Sequence, residues 1–98
     1  MAYHKTLAKH RRLTILRFLS DSADYTSNGS ILHDLCNDFG VTSTYDQISG
    51  ALVWLKENGM VTYDDNGTVV VVSATQHGVD IATGRARHDG VQRPSADP

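Results

Sequence analysis

The sequence predicts a single, mainly α-helical domain carrying one small β-hairpin. Three observations lead there. The length of 98 residues fits one domain and leaves no room for two. Apolar residues recur at helical spacing in four segments, and three of these segments close on a glycine. The pair Asn66-Gly67 stands between two β-prone runs, which is a strong local signal for a hairpin.

The first helix is expected from about His4 to Ser20. Leu13, Leu16 and Leu19 recur at spacings of three, Ile15 and Phe18 widen the stripe, and Leu7 extends it backward. Asp21 to Ser30 reads as a loop rich in Asp, Ser, Asn and Gly, with Asn28-Gly29 as a turn signal. Asn28 or Ser30 is positioned to cap a second helix over Ile31–Phe39, which places Leu32, Leu35, Cys36 and Phe39 on one face. Gly40 ends it, in the left-handed conformation that glycine adopts freely. A short turn rich in capping residues, Val41 to Thr44, precedes a third helix over Tyr45–Asn58, whose apolar face is Ile48, Ala51, Leu52 and Leu55. Gly59 ends this helix. Met60–Tyr63 and Thr68–Ser73 then form the hairpin around Asp64–Gly67. A last short helix fits Gln76–Thr83, capped by Ser73 or Thr75 and stopped by Gly84. The domain is expected over residues 1–87, with a flexible polar tail over 88–98 that contains Pro94 and Pro98. The expected core is Leu13, Leu16, Leu19, Leu32, Leu35, Phe39, Ile48, Leu52, Leu55 and Val61.

Composition narrows the setting. The lone cysteine, Cys36, cannot form an internal disulfide, so nothing points to an oxidising compartment. Met1–Arg12 is basic and polar with no apolar segment behind it, which argues against a signal peptide. No apolar run approaches the roughly 20 residues that a membrane helix needs. These features describe a cytoplasmic protein with no membrane partner. The net charge of −2 conceals an asymmetry. Residues 1–20 carry Lys5, Lys9, Arg11, Arg12 and Arg17 and no acid, whereas residues 21–83 carry nine acids and one base, Lys56. Basic ends flank an acidic middle.

The order helix, helix, short turn, helix, hairpin, helix carries the functional reading. Two helices joined by a tight glycine-containing turn form a helix-turn-helix, and a hairpin directly after the second is a wing. The stretch Leu35-Cys36, Gly40-Val41-Thr42, Ile48, Leu52, Leu55 and Asn58-Gly59-Met60-Val61 resembles the core of bacterial winged-helix transcriptional regulators of the ArsR and MarR type, small phage- or prophage-encoded members included. Arg12 to Leu19 is similar to their first helix, and Ser73 to Ala82 to the strand-to-helix step after their wing. The resemblance spans about residues 5–84. It implies a winged helix-turn-helix that binds double-stranded DNA as a homodimer, with the start of the third helix in the major groove. The residues so placed are Thr42, Ser43, Thr44, Tyr45, Gln47 and Ser49, whose hydroxyls and amide suit base edges and phosphates. None is basic, so Lys5, Lys9, Arg11, Arg12 and Arg17 are assigned the phosphate-neutralising charge.

A second reading comes from the same charge map. Asp46 at the third helix and Asp64 and Asp65 in the wing repel phosphate, and an acidic surface suits a basic protein partner. Catalysis, metal and cofactor are not expected. His33 and Cys36 lie three residues apart but lack further ligands for four-coordination. No nucleophile–base spacing and no glycine-rich phosphate loop occurs.

Overall fold

The computed structural model describes residues 2–94. The chain runs α1 (Ala2–Asp21), a 3-10 turn (Ala23–Tyr25), β1 (Thr26–Asn28), α2 (Gly29–Asp38), α3 (Tyr45–Glu57), β2 (Val61–Asp65), β3 (Val70–Ala74) and α4 (Gln76–Thr83). Four helices therefore pack with a three-stranded antiparallel sheet of order β1-β3-β2.

α1 is the centre of the molecule. It packs against α2 and α3 and also against α4. Being covered from several directions, it buries Leu13, Ile15, Leu16 and Leu19, a wider arc than one apolar stripe provides. α2 adds Leu32 and Cys36, α3 adds Ile48, Ala51, Leu52 and Leu55, and Met60, Val61, Val72, Ile81 and Ala82 close the core. Burial raises the Cys36 thiol pKa to about 11, so the group stays protonated and acts as a small apolar side chain.

Local chemistry sets the element ends. The Asn28 side chain accepts from the Ile31 amide at 2.9 Å, so Asn28 caps α2 instead of opening a turn with Gly29. Past α2 the Val41 amide reaches back to the Cys36 carbonyl at 2.7 Å and the Gly40 amide to the Asn37 carbonyl at 3.1 Å. This Schellman closure needs a positive φ, and Gly40 supplies it at 80°. Cys36 and Val41, the two residues joined by the first of these bonds, are both buried in the core. Thr75, not Ser73, caps α4 through the Gly78 amide.

Two expectations about packing are corrected. Phe39 lies at the C-cap of α2 with φ −91° and ψ 16°, where the helical period has already ended, and it is 70% exposed. Leu35 is only half-buried. The stretch read as a loop also contains a strand: Thr26, Ser27 and Asn28 pair with Ser73, Val72 and Val71, and the hydroxyls of Thr26 and Ser73 bond at 2.7 Å. The chain reaches β1 through Asp24 and Tyr25, both at positive φ.

The stretch expected as a flexible tail is packed through residue 94, and its remainder, 95–98, lies outside the described residues. Val91 is buried, the Gln92 amide donates to the Lys9 carbonyl at 3.2 Å, and Arg12 Nη1 donates to the Gly90 carbonyl at 2.8 Å. Gly90 sits so close to the Trp54 ring that a Cβ there would collide with it.

Candidate nucleic-acid interface

The turn before α3 is built from the inside outward. Ser43 is only 5% exposed, and Asn37 clasps its backbone, accepting from the Ser43 amide and donating to the Ser43 carbonyl, both at 3.0 Å. Ser43 Oγ donates to the Val41 carbonyl and accepts from Arg11 Nε at 2.6 Å, while Arg11 Nη2 donates to the Thr42 carbonyl at 3.1 Å. Arg11 is 6% exposed and forms no ion pair among the described residues. Its side chain is thus a strut between α1 and the turn. Two sequence assignments change accordingly: Ser43 cannot face a ligand, and Arg11 cannot offer its charge to one, because both are engaged inside the protein.

The surface of α3 that follows is exposed and polar. Thr42, Thr44, Tyr45, Gln47 and Ser49 all reach solvent. Thr44 caps the helix in a reciprocal box: its hydroxyl accepts from the Gln47 amide at 3.1 Å, and the Gln47 side-chain oxygen accepts from the Thr44 amide at 2.9 Å. Gln47 keeps its NH₂ group for an outside acceptor. Tyr45, 60% exposed, stacks face to face on His33 at 3.8 Å and 8°, and His33 also bonds Asp34 at 3.0 Å. The Ser49 hydroxyl has no partner among the described residues. Behind these side chains a groove of about 310 Å³ separates α3 from the hairpin and the start of α2, with Tyr45, Ser49 and Leu52 on one wall and Val69 and Val70 on the other. Sequence reading missed this groove, because β1 and β3 together set its far wall.

The hairpin tip carries acid, not base. Asp65 Oδ1 accepts from the Gly67 amide, and Asn66 Oδ1 accepts from the Thr68 and Val69 amides, so both side chains shape the turn. Asp64 and Asp46 are exposed beside α3 and the strand.

The remaining cations are spread. Lys5 and Arg17 are exposed, and Lys9 is half-buried. The Arg12 guanidinium lies 4.1 Å above the centroid of Trp54. Burial, and after it the Arg11 charge, pushes the Arg12 pKa below its ordinary value. The His88 and Trp54 rings meet nearly at right angles with centroids 5.0 Å apart. Arg12 thus holds the C-terminal segment in place, and the structure does not gather the five basic residues of α1 beside the start of α3. Among the described residues no three of His, Cys, Asp or Glu come together as a metal site. No helix among them is long and apolar enough to cross a membrane.

Two known proteins are similar over most of the chain. The protein gp26 of Escherichia phage Mu is 41% identical over 88 residues, which is 90% of this chain and 91% of that protein. A protein of Haemophilus influenzae is 31% identical over 84 residues, which is 85% of this chain and 81% of that protein. Both are uncharacterised. No family model matches the chain, and no solved structure matches it.

Proposed function

The chain belongs to the family of phage Mu gp26, and on that premise we propose that it is a winged helix-turn-helix protein that binds double-stranded DNA as a transcriptional regulator, acting as a homodimer. One observation carries the reading. The hairpin β2–β3 follows α3 directly, the order β1-β3-β2 places its returning strand in the middle of the sheet, and the capped start of α3 stands exposed beside it. That arrangement supports a reading in which the start of α3 enters the major groove as a recognition helix and the hairpin flanks it as a wing. The resemblance to ArsR- and MarR-type regulators supports the same reading, and kinship with a phage protein supports a phage or prophage setting.

In this reading Gln47 and Ser49 face the base edges, and Tyr45 and Thr42 lie at the flank. Asp46 and Asp64 keep non-specific affinity low, since that affinity comes from neutralised phosphates. Sequence discrimination then rests on few contacts. Anisotropy of labelled duplexes selected from a random pool tests this at two salt concentrations. The selected duplex binds more tightly than a scrambled one, and Ser49→Ala with Gln47→Ala removes most of the difference. Failure to enrich any duplex at low salt would refute the reading. Light scattering tests the homodimer, and a monomer at tens of micromolar would remove that part.

A second reading, a winged-helix module that binds protein and not DNA, is favoured by the exposed acids at the hairpin and by the loss of Arg11 from the surface. It predicts retention of a basic peptide and no duplex binding.

A further inference from the structure

The packed C-terminal segment creates a basic cleft against Lys9 of α1 and Ile81 of α4. About 300 Å³ in volume, it is lined by Lys9, Arg87, His88, Gln92 and Arg93, with Asp89 as its one acid among the described residues. Three of the nine Lys and Arg residues of the chain meet there. Arg87 and Arg93 are exposed and make no hydrogen bond or ion pair among the described residues, so their donors are free. The frame that presents them is fixed. The Arg85 and Ala86 amides donate to the Asp80 carbonyl, Val91 is buried in the core, the Gln92 amide donates to the Lys9 carbonyl, and the Gly90 carbonyl is held by Arg12. His88 Nδ1 accepts from the Gly90 amide at 2.9 Å, which leaves Nε2 as a further donor.

We propose that this cleft binds a phosphate group, and that the group it takes is a backbone phosphodiester of nucleic acid. Guanidinium groups carry forked donors that match phosphate oxygens, and an ammonium beside them adds charge without geometric demand. At roughly 30 Å³ per water, the cleft has space for such a group in place of several waters. The choice of nucleic acid as source rests on the DNA reading above. The cleft supplies the cationic contact that the start of α3 and the acidic hairpin lack, and apart from Lys9 of α1 it does so from the C-terminal segment.

Trp54 is the sole tryptophan, and His88 and Arg12 touch it, so its emission reports on the cleft. The full chain and its R87Q/R93Q variant are titrated with a 20-base-pair duplex, with inorganic phosphate and with a glutamate-rich peptide. Both side chains are exposed, so the variant keeps the melting temperature, which is measured first. The wild type responds to phosphate at tens of millimolar and binds the duplex. The variant loses the phosphate response and about tenfold in duplex affinity, and its slope of log K against log salt falls by about one, the value for one lost phosphate contact. Duplex binding with unchanged affinity and slope in the variant overturns the cleft while leaving the DNA reading intact. A phosphate response without duplex binding by the wild type overturns nucleic acid as the source, whereas the DNA reading itself falls only when selection enriches no duplex. Peptide binding as tight as the duplex overturns the preference for phosphate.

Discussion

Removal of the Arg11 side chain is the sharpest perturbation the structure offers. Arg11, 6% exposed and without an acidic partner among the described residues, donates to Ser43 Oγ at 2.6 Å and to the Thr42 carbonyl at 3.1 Å. Hydrogen bonds from a charged donor contribute about 1.5–3 kcal/mol each. Thr42 is exposed, so water replaces part of the second bond in a truncated variant, whereas Ser43 is sealed. The buried stem adds packing. Against these stands relief from holding an unpaired cation out of water, which costs several kcal/mol in the wild type. Arg11→Ala therefore destabilises by about 3 kcal/mol, and Arg11→Met, which refills the space without the charge, by about 1 kcal/mol. Unfolding entropy of roughly 2.1 cal/mol/K per residue converts the first figure to a drop of about 15 °C in melting temperature. Arg11→Lys falls between them, because an ammonium cannot reproduce the fork. Urea unfolding followed by far-ultraviolet circular dichroism measures all three with the slope held constant. An Arg11→Ala variant within about 0.5 kcal/mol of wild type, the range of ordinary surface substitutions, would refute the strut.

Three further outcomes follow from packing. Gly78→Ala places a methyl against the Met60 backbone carbonyl and the Leu16 side chain; a loss of about 1–3 kcal/mol is expected on thermal melting, and an unchanged midpoint contradicts the close approach of α4 to Met60 and Leu16. Cys36 does not react with a thiol reagent in the native protein at pH 8 and reacts fully in urea. With its pKa near 11 folded against 9.0 in the unfolded chain, it favours the folded state below pH 9, and that contribution disappears as pH rises from 9 to 11; Cys36→Ala abolishes this part of the pH dependence. Phe39→Ser leaves stability within about 0.5 kcal/mol, whereas Leu32→Ala costs about 2–5 kcal/mol; equal losses would place Phe39 back in the core.

The helices were legible because their ends are written locally. Thr44 with Gln47, Thr75 with Gly78 and Gly40 act within a few residues, and the spacing of Ile48, Leu52 and Leu55 names a face. β1 was hidden because Thr26-Ser27-Asn28 lacks apolar alternation, and only its partner in β3 makes it a strand. Phe39 was misplaced by extending a helical period one residue beyond the point where the backbone leaves it. Arg11 was misread by charge, although Arg11, Ile15 and Leu19 lie four apart, a spacing that puts the arginine on the buried side. The exposed residues of α3 were found from the order of elements. The cleft at Arg87 and Arg93 was not, since nothing local announces that Val91 is buried and draws the segment back.

The position of β3 bears on the solubility of the chain. Val69 to Val72 is the segment most able to stack with copies of itself, being β-branched, uncharged and free of proline. In the folded protein Val71 and Val72 have strands on both sides, while Val70 pairs with β2 alone and Val69 lies just outside β3, so most of the segment's backbone is closed to another molecule. The outer strands are poor templates in turn: β1 is three residues long and leads straight into a helix, and β2 ends on two carboxylates. Protection on one flank hangs on the few bonds of β1, so self-association should begin where that short strand peels away, long before the helices melt.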